Sequence, residues 1–502
     1  MNLINNFKES FKKNKNKNAL CINDVFYTYR EFSEQILKIR KLLQSKLNSE
    51  EKLIGLITNN DIQTYASIFA LWLENKAYIP LNPAAPIERN KEILKSINAK
   101  YILNSDESTF HVNDISVLLT HNINNENTNI VDVKINKNSI AYILFTSGST
   151  GKPKGIPINL ENVDALINAL TFDGEYILNN SDRCLQMYDL TFDASLTAFL
   201  PAFLSGACIY TVPPDSMKYF HVFKLLQKYE LTVLKMVPSI IHYLRPYFPE
   251  INSKSVRYCI FGGGKLYQNI IKEWLKCIPN SKLYNHYGPT ECTVCSTYYA
   301  YPINASLNKS HNGVISIGKP LNGFDYLIVD DNNKTVNKGN EGELCLYGKQ
   351  VTQGYWKNKT LNLNSFFIKE FNGETKRFYK TGDICYEDSD GYLMYVDRKD
   401  FQVKIRGFRV ELGEIEFQTK KIITQNNLIV IDINNSNGNN EIALVIEGTD
   451  FDLKDLQKYL QSVLPNYMVP TKYYFLSNFP HNSNGKLDRK ILRNLIQQNK
   501  ND

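Results

Sequence analysis

Two kinds of apolar run alternate through the first part of the chain. Short continuous runs such as Leu53-Ile54-Gly55-Leu56-Ile57 read as buried strands, and longer runs with apolar residues at helical spacing, such as 30–47, read as helices. From residue 20 to about 120 this βα alternation predicts a parallel sheet flanked by helices. Lys76 to Leu81 reads as another strand, closed by Asn82-Pro83. The stretch 121–138 is rich in asparagine and poor in apolar residues, and is expected to be an exposed connection. Ile140 to Leu144 is the next strand, and it empties into a loop of glycines, hydroxyls and lysines from Phe145 to Gly155. Close backbone N–H groups, short hydroxyls and positive charge suit a polyphosphate, so this loop is a candidate ATP site. It is not a Walker A loop, because Gly151-Lys152 is followed by Pro153.

Beyond the loop, 162–172 has helical spacing, and the strand-like Cys184 to Tyr188 leads to Thr191-Phe192-Asp193-Ala194-Ser195. Asp193 opens a long apolar stretch, where a carboxylate can cap a helix or pair with a substrate ammonium. Leu231 to Pro238 reads as a strand with Lys235 in its middle. A lysine there needs a partner or must reach solvent, since an unpaired buried ammonium costs several kcal/mol. The strand Tyr258 to Phe261 ends in three glycines at 262–264, where the missing Cβ lets a flat ring lie on the backbone. Asn285 to Glu291 reads as a turn carrying an aromatic, a hydroxyl and a carboxylate, suited to base stacking, phosphate contact and Mg²⁺ ligation. The stretches 342–348 and 353–356 read as β structure with tight turns, and 379–383 places Asp383 after a glycine turn, where an acid can hold both hydroxyls of a ribose. Near Asp400 the charge density rises and Gly407 marks a hairpin, which together suggest a separate small unit. Within it 452–463 is helical, 473–476 is a strand, and 481–489 is a polar loop around Lys486.

Composition narrows the function classes. A chain of 502 residues with 43% hydrophobic content suits about two to four globular domains. Lys and Arg exceed Asp and Glu only by 58 to 51, with no arginine-rich block beside aromatics, so no nucleic-acid partner is expected. The N-terminus lacks the apolar core of a secretory signal. The longest uncharged run, 194–214, is broken by Pro201 and Gly206 and reads as a buried helix, turn and strand, so no membrane partner is expected. Nine scattered cysteines fit free thiols in a reducing cytoplasm. Cys292 and Cys295 form a CxxC with no second pair and no histidine at zinc-finger spacing.

Seven stretches in order resemble the adenylate-forming enzyme superfamily, and within it the amino-acid adenylation domains of nonribosomal peptide synthetases and the D-alanine carrier-protein ligases. They are FTSGSTGKPKG at 145–155, FDAS at 192–195, NHYGPTE at 285–291, GELCLYG at 342–348, YKTGD at 379–383, DRKDFQVKIRGFRVELGEIE at 397–416 and NGKLDR at 484–489. The resemblance covers nearly the whole chain. It implies an α/β fold with a large N-terminal domain of helix-flanked β-sheets, 1–399, and a small mobile C-terminal α+β domain, 400–502, hinged at Asp400. It also implies a two-step reaction. ATP and a carboxylic acid give an acyl-adenylate and pyrophosphate, and the acyl group then passes to a phosphopantetheine thiol. By matching positions, Thr146, Ser147, Gly148, Ser149, Thr150, Gly151 and Lys154 hold the β- and γ-phosphates, Thr290 touches phosphate, and Glu291 ligates Mg²⁺. Adenine is expected between Tyr287, Tyr395 and the glycines around Gly263, with Asn285 near its amino group, and Asp383 and Arg398 take the ribose. Lys486 is expected to bridge the substrate carboxylate and the α-phosphate. After the small domain turns, the hairpin around Gly407 is expected to face the pantetheine arm.

Asp193 matches the position that binds the α-amino group, which favours an amino acid. The matching side-chain pocket is Ala194, Thr197, Lys235, Ile260, Gly262, His286, Val294 and Cys295. Asp193 offsets the ammonium and Lys486 the α-carboxylate, which leaves Lys235 for a substrate carboxylate, with His286 assisting. The pattern is similar to aspartate-selecting pockets, so L-aspartate is expected. Ala194 and Cys295 depart from that pattern and leave asparagine or a β-substituted aspartate open. An acyl-CoA ligase of the same superfamily is the enzymatic alternative. A non-catalytic nucleotide-binding module would predict decay of the lysine, acid and glycine positions, all of which are present. The chain ends soon after Lys486, so the carrier protein is expected in trans.

Overall fold

Side chains two apart on a strand share a face, and this period decides which residues of the main sheet meet each core. The computed structural model describes residues 2–107, 112, 114–123, 130–148, 153–171, 176–214, 216–302, 304–400, 402–424, 426–435, 438–448, 453–480 and 489–498. By contact the chain forms two compact units. One comprises Met1–Pro83, Leu94–Leu144 and Gly155–Lys399; the other comprises Ala84–Ile93, Phe145–Lys154 and Asp400–Asp502. The phosphate-loop stretch therefore groups by contact with the C-terminal residues.

The first unit holds a nine-stranded sheet. Six of its strands run parallel in the order Lys282–Tyr287, Tyr258–Gly262, Val233–Met236, Arg183–Gln186, Cys208–Thr211 and Asn18–Ile22, with antiparallel strands at both edges. Strands buried on both faces are expected to be nearly continuous apolar runs, as Leu231 to Met236 and Tyr258 to Phe261 are. Val233, Tyr258, Ile260 and Tyr284 join one core, and Leu234, Met236, Cys259, Phe261 and Leu283 join the other. Lys235 is on the face of Val233. The βα alternation of the early chain gives a second sheet, in which Ser116–Leu119, Tyr101–Asn104, Leu53–Ile57, Ala77–Leu81 and Ile140–Thr146 pair in parallel. The uncharged run folds into the helix Ala194–Ser205 and the strand Cys208–Thr211. Gly206, at φ 76°, ends the helix and donates its N–H to Ala202 O and Phe203 O.

Three local expectations change. Asn285, His286 and Tyr287 belong to the strand Lys282–Tyr287, and only the residues after them turn, into the 3₁₀ helix Thr290–Cys292. Residues 353–356 form bends that lead into a turn, with no strand. Asp383 follows no reversing turn: it lies inside the long strand Glu374–Glu387, which pairs with both Gly342–Gly348 and Leu393–Arg398. Gly382, at φ 73°, bends that strand without ending it, beside a register shift between Ile384 and Cys385.

In the second unit the hairpin Gln402–Ile405 and Phe408–Glu411 turns through Arg406 and Gly407, both at positive φ, and runs into the helix Leu412–Thr419. A three-stranded sheet, Leu428–Asn434, Asn440–Glu447 and Lys472–Leu476, alternates cleanly. Leu428, Val430, Ile442 and Leu444 pack with Leu412 and Leu456, while Ile429, Ile431, Ala443 and Val445 pack with Leu492 and Ile496.

One carboxylate aligns the strands that carry the expected substrate pocket. Asp182, just before the strand Arg183–Gln186, accepts from Thr232 Oγ1 at 2.7 Å, from Arg257 Nη1 at 2.8 and 2.9 Å, and from the Asn179 N–H at 2.8 Å. Thr232 and Arg257 precede the next two strands, so a single buried acid fixes where three strands begin. Asp182→Ala is expected to cost about 2–3 kcal/mol in urea denaturation, less than for a fully buried pair because Arg257 can regain water, and Asp182→Asn less still. Stability equal to wild type in Asp182→Ala would remove this role.

Candidate active site

The substrate pocket expected from the sequence lies wholly in the first unit. The register pairs Lys235 with Ile260 and Ile260 with Tyr284, and Gly262 with His286. Lys235, Ile260, Gly262 and His286 thus share one face of three adjacent strands. A Cβ at Gly262 would approach His286 O to 3.3 Å, so the glycine keeps this face open beside the histidine. Thr197 is buried in the first turns of the helix that Asp193 precedes, and its Oγ1 donates to Ala194 O at 2.9 Å. Asp193 occupies the N-cap position but makes no side-chain cap hydrogen bond. Val294 and Cys295 come from the segment after the 3₁₀ helix. Thr293 and Val294 have φ of 50° and 71°, and Cys295 N–H bonds Thr293 O at 2.9 Å, closing a γ-turn on a β-branched residue. That strained turn delivers the Cys295 thiol to the pocket.

Charge in this pocket is unusual. Lys235 is 5% exposed, and its ammonium has no hydrogen-bond partner among the described residues. Burial lowers it from 10.5 to about 8, against the opposing influence of Cys295 and Asp193. Burial, then Lys235, hold His286 well below the usual imidazole value, so the ring is neutral, and its Nδ1 has no hydrogen-bond partner among the described residues. Burial pushes the Cys295 thiol up to about 11, leaving it protonated at neutral pH.

The residues expected around the nucleoside form a second cluster in the same unit. Tyr287 Oη donates to Asp383, and Arg398 Nη1 meets Asp383 Oδ1 at 2.9 Å. The Tyr395 ring lies beneath the Lys265 ammonium at 5.1 Å, and Gly263 has φ 84°. Asn285 Nδ2 donates to Ser316 O at 2.9 Å, which fixes the direction of its amide. Thr290 opens the 3₁₀ helix, and Glu291 is buried with Oε1 accepting from Tyr355 Oη at 2.6 Å. No group of three or more potential metal-binding side chains occurs among the described residues. A lone oriented carboxylate fits Mg²⁺, which takes most of its ligands from phosphate and water.

Within the second unit, the loop expected to hold phosphate meets acids. Ser147 Oγ donates to Arg409 O at 3.1 Å and accepts from the Glu411 N–H at 3.0 Å. The Gly148 N–H donates to Glu414 Oε2 at 3.1 Å, and Lys154 Nζ meets Glu411 Oε1 at 2.7 Å. Arg89 Nη1 holds the other oxygen of Glu414 at 2.7 Å. Thr146 ends the strand that feeds the loop. Ser149, Thr150, Gly151 and Lys486 lie outside the described residues. Near Lys486 in sequence, Arg489 donates to Val430 O at 2.7 Å and pairs with Glu416 at 2.6 Å. Asp400 accepts from the Gln402 N–H at 3.2 Å.

Sequence reasoning passed over Tyr355 as the partner of Glu291, and Glu411 and Glu414 as partners of the loop. Tyr355 stood in a stretch read only as β structure and both acids in the recognised stretch 397–416, but pairings this distant along the chain leave no periodic trace.

The Lys235 geometry predicts a stability effect. Between pH 8 and 10.5 the unfolded chain holds the lysine proton and the folded protein does not, so stability rises with pH through that window. The gap corresponds to about 3 kcal/mol of strain at neutral pH. Lys235→Met is expected to stabilise the ligand-free protein at pH 7 by about 1–3 kcal/mol in urea denaturation, with the gain vanishing by about pH 10.5. A loss of stability at pH 7 would mean that the protein itself compensates the charge.

Comparison with known proteins places the chain in a family. The AMP-binding enzyme family matches residues 7–356. Zwittermicin A synthase ZmaJ of Bacillus cereus is 30% identical over 508 residues, spanning 97% of this chain and 93% of that protein. Tyrocidine synthase 3 of Brevibacillus parabrevis is 31% identical over 484 residues, 94% of this chain but only 7% of that much longer protein. Among solved structures, the Vibrio cholerae adenylation domain AlmE, in complex with glycyl-adenosine-5'-phosphate, superposes with a TM-score of 0.84 at 24% identity, covering 98% of this chain and 97% of its own. The chain belongs to the AMP-binding enzyme family of adenylate-forming ligases, with nonribosomal peptide synthetases among its relatives.

Proposed function

We propose that this enzyme activates an amino acid with an acidic side chain, L-aspartate foremost, as its adenylate, and passes the aminoacyl group to a phosphopantetheine thiol on a carrier protein. The observation that carries the substrate reading is the buried Lys235 ammonium, which has no hydrogen-bond partner among the described residues, on a face shared with a neutral His286. A ligand carboxylate supplies what that ammonium lacks, and the neutral imidazole adds a hydrogen bond without a second charge. Asp193, at the mouth of the helix Ala194–Ser205, is the group for the α-ammonium.

In the first step a substrate carboxylate oxygen attacks the α-phosphorus of ATP, and the bond to the bridging oxygen breaks to release pyrophosphate. In the second, a thiolate attacks the acyl carbonyl and AMP leaves. The protein's work in the first step is positioning and charge neutralisation. Asp383, held by Tyr287 and Arg398, suits the ribose hydroxyls, and the ring of Tyr395 suits the base. Ser147, Gly148 and Lys154 offer donors to the β- and γ-phosphates. Glu291, oriented by Tyr355, is the ligand for Mg²⁺, which when bound neutralises phosphate charge. Lys486 is assigned to the α-phosphate and the substrate carboxylate.

ATP–pyrophosphate exchange across the amino acids is expected to peak with aspartate, and Lys235→Ala to abolish that preference. Because kcat/KM reports the free enzyme, its value for aspartate is expected to fall above about pH 8 as Lys235 loses its proton, while the value for alanine follows only the α-amino group common to both substrates. A peak with an aliphatic amino acid contradicts the pocket reading; a peak with asparagine and no such pH dependence selects the amide. For the mechanism, Lys486→Ala is expected to lower exchange by at least about 100-fold with an unchanged urea midpoint. Full exchange in that variant would end the role given to Lys486. Incubation with aspartate, ATP and either coenzyme A or a phosphopantetheinylated carrier decides the acceptor.

A further inference from the structure

The strand face that carries Lys235 and His286 is covered by a residue outside every recognised stretch. Tyr176 places its ring centroid 5.8 Å from Tyr258, 5.8 Å from Tyr284 and 6.0 Å from His286, the last at 34° between planes. Tyr258 and Tyr284 share the face of Ile260 and His286 by the two-residue period of their strands. The segment is pinned there: the Ile177 N–H donates to Tyr258 Oη at 3.3 Å, and Arg257 Nη2 donates to Ile177 O at 3.1 Å. Tyr176 is 4% exposed, yet its hydroxyl has no hydrogen-bond partner among the described residues.

Buried phenol hydroxyls ordinarily find a partner, because an unpaired one forfeits its hydration for nothing. Here three polar atoms on one side of three strands share that state: Tyr176 Oη, His286 Nδ1 and Lys235 Nζ. Packing alone accounts for the Tyr176 ring and would be met equally by phenylalanine. It does not account for the hydroxyl. Burial, with Cys295 the next influence, raises the phenol above its ordinary value, so the hydroxyl keeps its proton and is available as a neutral donor.

We propose that Tyr176 is a specificity-determining residue whose hydroxyl donates a hydrogen bond to an oxygen of the substrate side chain, beside the Lys235 ammonium and the His286 imidazole. The inference rests on the reading of this pocket as a site for an acidic side chain. A carboxylate can accept several hydrogen bonds at once, so a third donor adds to the ammonium and the imidazole without competing with them. It also sharpens selection: a substrate without that oxygen leaves the phenol, the imidazole and the ammonium unpaired together.

Tyr176→Phe keeps the ring and removes only the donor, and the test is ATP–pyrophosphate exchange with KM and kcat measured separately for aspartate and alanine. Loss of a hydrogen bond to a charged group is expected to lower kcat/KM for aspartate about 10- to 100-fold, chiefly through KM, with alanine changed less than about twofold. The urea midpoint of the ligand-free variant is expected to equal or exceed that of wild type, since the lost hydroxyl had no partner to leave. An unchanged aspartate-to-alanine ratio, or equal losses on both substrates with a lowered midpoint, overturns the proposal and makes Tyr176 structural. The wild-type profile separates the two readings. If wild type peaks on aspartate while Tyr176→Phe keeps the ratio, only the role of Tyr176 fails; if wild type peaks on an aliphatic amino acid, both fail.

Discussion

An ammonium group held inside a parallel sheet, without a hydrogen-bond partner among the described residues, is the constraint around which the proposed substrate pocket is built. The strand positions flanking Lys235 are apolar because both faces of the sheet are covered, so the lysine cannot be tolerated as a surface residue folded inward. Its cost must be met by the rest of the fold. The large double core on either side of the main sheet meets it, together with Asp182, which fixes the starts of the neighbouring strands through Thr232 and Arg257. Strained backbone at Thr293 and Val294 adds to that cost in the same place. Such local costs gathered on one face are what a site selected for binding looks like, because a site selected for stability alone would carry a methionine or leucine at position 235.

Neutral and charged donors are divided in this pocket with a clear electrostatic logic. Lys235 keeps a proton to about pH 8, and in doing so helps to keep the His286 imidazole neutral. Two positive charges side by side would demand two anions; one charge and one neutral ring demand a single carboxylate. Cys295 stays a thiol and contributes shape rather than charge. The cluster proposed for the nucleoside follows a similar economy, with one acid, Asp383, already oriented by Tyr287 and Arg398.

Much of this was legible in the sequence, and the parts that were not share a cause. The strands holding Lys235 and Ile260 announce themselves as apolar runs, and the hairpin through Gly407 by its glycine. Asp383 misled because a glycine before an acid reads as a turn, whereas pairing on both sides keeps that segment a strand, a fact fixed by residues about 40 positions upstream and about 15 downstream. Asn285 to Tyr287 misled for the same reason: their polar side chains hide a strand position that only the neighbouring strands enforce. Tyr176 carries no period and no motif. Its place is decided by Tyr258, Arg257 and His286, about 80 to 110 residues further on.

Charge links the loop around Gly148 to the acids it meets. Gly148 N–H and Lys154 Nζ bond the carboxylates of Glu414 and Glu411, and a phosphate oxygen offers those donors the same kind of acceptor. The carboxylate contacts thus occupy the donors that the proposed function gives to phosphate. They are also mutually exclusive with it, since a donor given to Glu414 is not given to a phosphate, and an acid beside a triphosphate is repelled. Arg89 grips Glu414 independently of the loop, so the acid keeps a partner if the Gly148 contact opens. Glu411 likewise keeps Gln402, whose Nε2 donates to Oε1 at 2.8 Å. Both acids can thus release the loop without being left as unpaired buried charges, and that lowers the cost of exchanging carboxylate for phosphate to the difference between two similar hydrogen bonds.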